Sequence, residues 1–219
     1  MTETVLSAAL AGVPAGMQAQ GVWAGRRQLF VRFAGEAETA TMYSSAALAR
    51  EIQRQLPRAA FHSISISGRD PLANLPFLLA VLQEATPPVP VMLDTDGQRP
   101  EAIAPLAPFL SLIQVTIDFE GPQTTLSRAM ETIAAAHAAA RAHALVLCPR
   151  DDTSDGLVLR AVEHLHTLSV GAEVVLHPPL PKGEPPALDR RWAVLLERAV
   201  AAHGGTRLAL RIPPPSGLR

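Results

Sequence analysis

Three observations on this sequence predict an α/β fold built on a parallel sheet. Short β-branched or apolar runs alternate with longer segments of helical periodicity. The runs recur at nearly even spacing, and 48% apolar against 18% charged residues gives enough side chains to bury a core. The runs are Gln28–Phe33, Phe61–Ser67, Val89–Leu93, Leu112–Phe119, His143–Cys148, Glu173–His177 and Arg207–Ile212. Their starts differ by 33, 28, 23, 31, 30 and 34 residues, the length of one strand–helix unit. The segments between them, Ala46–Leu56, Pro71–Glu84, Glu101–Pro108, Thr125–Arg141, Ser154–Leu168 and Ala187–His203, read as helices. Strands joined by helices run parallel and carry the helices on their outside. A doubly wound sheet and a partial TIM-like barrel both fit this pattern.

Each element has its own justification. In Gln28–Phe33, Arg32 stands between Val31 and Phe33 and so points opposite to its apolar neighbours. Pro71 suits the first position of a helix, where no N–H is needed, and Asp70 before it reads as an N-cap. Gly97 after Asp96 reads as a turn, and Gly204-Gly205 as a helix stop. Cys148 closes an apolar strand and reads as an inert buried thiol. His177 ends its strand and reads as a hydrogen-bonded loop residue rather than a ligand. His164 and His166 diverge on their helix, and His137 and His143 show no ligand spacing. Asp151, Asp152 and Asp155 lack the spacing of a Ca2+ loop and read as a cap with an acidic first turn. The Pro-rich stretches 87–90, 178–186 and 213–215 are too short for linkers, so residues 1–219 read as a single domain.

Charge and cysteine counts narrow the classes. With 19 basic and 20 acidic residues the formal charge is -1, which gives no footprint for nucleic acid or for an anionic membrane. No run reaches the roughly 18 apolar residues of a membrane span, and the amino terminus lacks a basic n-region, so a cytoplasmic protein is expected. One cysteine, Cys148, excludes an internal disulfide, a Cys-rich zinc site and a cluster held by three thiolates of this chain. No Walker, G-x-S-x-G or G-x-G-x-x-G motif occurs. In either candidate fold, ligands sit at the carboxyl ends of the strands. The loops there carry Gly35–Ser45, Gly68-Arg69-Asp70, Asp94-Thr95-Asp96-Gly97, Asp118–Pro122, Pro149–Asp155 and His177–Pro186.

Several of these loops, taken in order, resemble the radical S-adenosylmethionine superfamily, in particular its 7-carboxy-7-deazaguanine synthase branch. Gln18-Ala19-Gln20-Gly21, Gly25 and Phe30-Val31-Arg32-Phe33-Ala34-Gly35 resemble the branch's Q-G-E-G, glycine and F-V-R-x-x-G-C. Ser67-Gly68-Arg69-Asp70-Pro71-Leu72 resembles T-G-G-E-P-L, and Asp94-Thr95-Asp96-Gly97 resembles E-T-N-G. Thr116-Ile117-Asp118-Phe119-Glu120 resembles S-x-D-x-K, with the charge of the last residue reversed. The resemblance implies an incomplete (β/α)6-type TIM-like barrel with parallel strands and outer helices.

The resemblance also assigns roles. Gly68, Asp70, Asp94 and Thr95 correspond to positions that hold S-adenosylmethionine, and Gln18, Gln20 and Arg32 to positions that contact a pterin-like substrate. Ser45 corresponds to the Mg2+-binding threonine and is a weak metal candidate. Arg69 stands where the family has a second glycine. The cluster motif C-x-x-x-C-x-x-C falls on Glu36, Ala40 and Tyr43, none of them a thiolate, so no [4Fe–4S] cluster is expected. The leading expectation is a cluster-free relative that binds a pterin-, deazapurine- or S-adenosylmethionine-like small molecule at the strand ends, open to non-radical chemistry with no assigned acid–base pair. The alternative is a non-catalytic partner subunit of an active radical S-adenosylmethionine paralogue. A homodimer is expected from the family.

Overall fold

A computed structural model describes residues 5–119, 124–179 and 189–211. Glu120, most of the second Pro-rich stretch, the start of the last predicted helix and the third Pro-rich stretch lie outside the described residues. Among the described residues ten strands form one mixed sheet: β1 Ser7–Gly12, β2 Ala15–Met17, β3 Arg27–Phe33, β4 Thr41–Ser44, β5 Ser63–Gly68, β6 Val91–Thr95, β7 Leu112–Ile117, β8 Ala142–Leu147, β9 Glu173–Leu176 and β10 Thr206–Leu208. The helices are α1 Ser45–Gln55, α2 Leu75–Ala85, α3 Ile103–Leu106, α4 Thr124–Ala138, α5 Asp155–Leu168 and α6 Arg190–Ala202.

All seven regions read as strands from sequence contain one, the last shortened from Arg207–Ile212 to Thr206–Leu208 with Ile212 outside the described residues, and they pair in parallel in the order β3-β5-β6-β7-β8-β9-β10. This order follows the chain without reversal, whereas a doubly wound sheet requires a reversal. Consecutive helices pack on one another from α1 to α6. The outer parity of the strands (Leu29, Val31, Ile64, Leu93, then Val115, Leu145, Val174) joins Ile52, Leu78, Val158 and Leu195 of the helices in two buried clusters. The opposite parity is the inner face. Its lower part, Met92, Leu112 and Ala144, packs against Val22 and Trp23 of the segment between β2 and β3.

Three antiparallel strands were not legible. β1 and β2 run along one side of β3, and β4 pairs with β1 through Ala8↔Tyr43 and its neighbours. β1 reads Ser-Ala-Ala-Leu-Ala-Gly and β2 Ala-Gly-Met, compositions with little intrinsic strand preference. Several predicted boundaries need correction, mostly because of proline. Pro71–Asn74 is a separate 3-10 turn and α2 begins at Leu75, with Pro76 in its first turn. The strand expected from Val89 begins at Val91, after Pro90, whose nitrogen cannot donate to a ladder. The expected helix Glu101–Pro108 keeps only four α-helical residues between 3-10 turns that begin at Pro100 and contain Pro108.

Candidate functional site

The parallel strands turn Gln28, Ser63, Ser65, Asp94, Gln114 and Thr116 away from the helices, onto the inner face. Such a row of polar side chains inside a sheet is costly unless they pair or serve a ligand. Gln28 Nε2 donates to Ser63 Oγ at 2.8 Å, whereas Gln28 Oε1 and Ser65 Oγ are buried without a hydrogen-bond partner. Asp94 and Gln114 are cross-strand neighbours of β6 and β7. The Thr116 hydroxyl donates to Asp94 Oδ1 at 2.6 Å. Burial pushes the Asp94 carboxyl above the usual carboxylate range, against the opposing pull of Thr116, Gln114 and Gln20 and the charge of Arg211. A carboxyl so placed can accept from, or donate to, a polar ligand edge.

Gln20 reaches Asp94 because the segment 18–26 is docked on the inner face. Gly21 N–H donates to His177 Nε2 at 2.8 Å, and Val22 N–H to Gln114 Oε1 at 3.0 Å. The other His177 nitrogen, Nδ1, donates to the Ala209 carbonyl at 2.7 Å, which fixes the neutral tautomer. Gly21 is required here. Its φ is +78°, and a Cβ would stand 1.9 Å from Gln114 Oε1. Trp23 closes the segment by edge packing on His62, with ring centres 4.9 Å apart.

At the carboxyl ends of β7, β8 and β9 lies an open cavity of about 650 Å³, lined by Asp118, Cys148, Pro149–Asp152, His177–Pro179 and Arg211. Cys148 is buried as expected, and burial pushes its thiol upward while Arg211 opposes the shift. Arg211 Nη2 lies 2.8 Å from the Cys148 sulfur. Arg191 braces the wall from the start of α6. It donates to Asp155 Oδ1 and the Asp151 carbonyl, both at 2.7 Å, and also to the Thr153 carbonyl. Asp155 is therefore ion-paired rather than a solvated first-turn acid, and Ser154 takes the cap position of α5.

The residues singled out from sequence scatter into two groups. Gln20 and Asp94 meet at the inner face. Thr95, next to Asp94, is buried, and its hydroxyl accepts Gly97 N–H at 3.2 Å within the turn. Gln18 is also buried, its Oε1 accepting Ala19 N–H at 3.0 Å. At the other end of the sheet, Arg32 is exposed opposite to Val31 and Phe33 and pairs with Glu38. Gly68 has φ +101°, and a Cβ would fall 2.2 Å from the Phe33 carbonyl oxygen.

Asp70 corrects the cap reading. It adopts φ +41° with no side-chain cap bond, and its carboxylate is instead gripped by Arg99, Nε to Oδ1 at 2.9 Å and Nη2 to Oδ2 at 2.8 Å. Arg69 pairs with Glu36 at 3.1 Å. Ala40 is exposed, while Tyr43 on β4 packs against the core. Ser44 caps α1 by accepting Ala47 N–H at 3.2 Å, which leaves Ser45 as the first residue of that helix. Among the described residues no three His, Cys, Asp or Glu side chains converge as a metal site, and no helix is long and apolar enough to cross a membrane.

Sequence reasoning missed Gln114, Arg99, Arg211 and the docking role of His177. Gln114 had a readable signal, a polar residue sharing the inner parity of β7 with Thr116. Arg99 and Arg211 lie in loops or at a strand end, and only tertiary contact gives them partners.

No protein-family model matches the chain. The chain is 32% identical over 125 residues to a 7-carboxy-7-deazaguanine synthase of Methanothermobacter thermautotrophicus, an alignment covering 49% of this chain and 49% of that protein. The chain thus matches about half the length of this curated relative. A distant relationship to that synthase accompanies a mixed α/β fold whose central sheet is mostly parallel.

Proposed function

We propose that the protein is a cluster-free relative of 7-carboxy-7-deazaguanine synthase that binds a small heteroaromatic or S-adenosylmethionine-like molecule at the carboxyl ends of its parallel strands. The observation that carries this reading is Asp94. Its half-buried carboxyl stands beside Thr116, Gln20 and Gln114 on the polar inner face, near enough to Cys148 on the wall of the 650 Å³ cavity for its charge to act on that thiol. A carboxyl flanked by amides matches the alternating donors and acceptors of a pterin or deazapurine edge. The unreversed strand order and the one-sided packing of the helices support an incomplete (β/α)6-type barrel as the scaffold.

The donor set at the cluster positions does not fit iron and sulfide. Glu36 is paired with Arg69, Ala40 has no donor, and Tyr43 is turned to the core. Thiolates hold such clusters, and the remaining thiol, Cys148, belongs to the cavity of β7–β9. The Gly68–Asp70 turn is also altered. The Asp70 carboxylate is engaged by Arg99, so S-adenosylmethionine binding there would have to displace an ion pair.

Thermal-shift titration with S-adenosylmethionine, S-adenosylhomocysteine, pterins and deazapurines tests the reading. A ligand of the folded state raises the melting temperature by mass action. A saturating shift in the wild type that Asp94→Asn abolishes supports the site. No shift across the panel defeats it and favours a non-catalytic partner of an active paralogue, which co-purification with such a paralogue would identify. Sedimentation measures the homodimer expected from the family.

A further inference from the structure

We propose that His177 is the positioning residue of the strand-end site: its neutral ring pins Gly21 and thereby holds Gln20 against Asp94, and protonation of that ring releases the segment 18–26 from the inner face. The geometry gives the ring two partners of opposite demand. Nδ1 must donate to the Ala209 carbonyl, so Nε2 must accept the Gly21 N–H. A proton on Nε2 would set donor against donor in a site where the ring is 2% exposed, and a buried unmade bond is expensive.

The surroundings of the ring resist that proton. Arg207 and Arg211 lie on the β10 side, Cys148 on the β8 side, and Asp118 across the cavity. The loop after β8 adds Arg150, Asp151 and Asp152 to the same cavity. Burial lowers the His177 pKa from its ordinary value of 6.5; the carbonyl bond to Ala209 opposes this, and Arg211 and Arg207 add to it. The sign follows. The seat of the segment is fully held above the ordinary value and is lost as pH falls through the lowered one.

Besides the His177 bond, the segment is seated by Val22, which packs on Met92, Leu112 and Ala144 and on Val146, Cys148 and Val175, and by a few polar and ring contacts. Val22 N–H bonds Gln114, Arg207 reaches the Val22 carbonyl at 3.2 Å, and Trp23 packs on His62. Release would move Gln20 from Asp94 and uncover Met92, Leu112 and Ala144 beneath Val22 and Trp23. The inference rests on the proposed function only in making Asp94 a ligand contact. The seating of the segment is measured without ligand, so the two readings can fail separately.

The test is residue-resolved hydrogen exchange on the full chain between about pH 5 and pH 8, with intrinsic base-catalysed rates divided out. The Gly21 and Val22 amides should lose protection about tenfold per pH unit inside the titration window. The loss should begin near the ordinary value of 6.5 and level off where the His177 ring titrates by NMR. His177→Gln offers an acceptor to Gly21 that does not titrate, so protection in that variant should be retained and flat with pH. His62→Asn should leave that window unchanged. Protection that is flat in the wild type, a window that follows His62, or an unchanged pH dependence in His177→Gln would each overturn the proposal. If the glutamine variant does not fold, the wild-type comparison of ring titration and amide protection still decides it.

Discussion

Replacing Gly97 by alanine separates two costs that are usually confounded. Gly97 and Gly25 adopt almost the same backbone, φ +79° and +80°, but their surroundings differ. A Cβ on Gly25 meets nothing within 4 Å, whereas one on Gly97 would stand 2.7 Å from the Ala129 Cα and 3.0 Å from Val115 Cγ1. The left-handed backbone costs a β-carbon about 1–2 kcal/mol at either position. Alanine also reduces the freedom of the unfolded chain, equally in both variants, so that contribution cancels in the comparison. At Gly97 the added methyl must push α4 off β7, and the Ala129 Cα is backbone that cannot rotate away. Overpacking of this kind costs about 1–3 kcal/mol more.

Gly25→Ala should therefore lower stability by at most about 1.5 kcal/mol, the backbone cost less about 0.4–1 kcal/mol from the unfolded chain, and Gly97→Ala by about 1–3 kcal/mol more. For a chain of this size that is about 2–4 °C of melting temperature per kcal/mol. Urea denaturation of both variants beside the wild type, with equal m-values, measures the difference. Equal losses in the two alanine variants would refute the argument, because they would mean that α4 is free to move. The Thr132 hydroxyl bond to the Gly97 carbonyl, 2.7 Å, gives a second reading of the same contact. It should be lost in Gly97→Ala and kept in Gly25→Ala.

Three further outcomes follow from the structure. Stability should decline as pH falls below about 6.5, because burial lowers the pKa of both His143 and His177; replacing either ring should flatten part of a pH–melting profile. Arg99→Ala should cost no more than about 1 kcal/mol by urea denaturation, since the Arg99–Asp70 pair is 41% and 33% exposed and solvent screens it. Arg191→Ala should cost more, about 2–3 kcal/mol, because it removes the partner of the carbonyl of buried Thr153 and of Asp155 and the guanidinium packed 4.6 Å over Trp192. Faster proteolysis confined to the loop around residues 150–153 would check that last expectation.

The sequence carried the sheet better than the site, for a physical reason. A parallel strand buried on both faces must be apolar on its outer parity, and that constraint is written locally in runs such as Leu29-Val31-Phe33 and Val115-Ile117. Antiparallel β1, β2 and β4 escaped because they owe their conformation to β3 and to each other rather than to their own residues. The site divides along the same line. Asp94 and Gln20 could be named from ordered motifs, yet they meet through a segment whose Gly21 bonds His177, 156 residues away. Asp70 shows the opposite failure: Asp-Pro is a sound local signal for a helix cap, and a tertiary ion pair with Arg99 overrode it. The single cysteine gained meaning only through placement, since a buried thiol beside Arg211 on the cavity wall stands apart from the Arg69–Glu36 and Arg32–Glu38 pairs at the opposite end of the sheet. Local patterns therefore bound what each strand and turn can be. The chemistry of the inner face is set by which distant loop is laid over it, and here that loop is held by His177 and Gln114 through its backbone and by Val22 and Trp23 through packing.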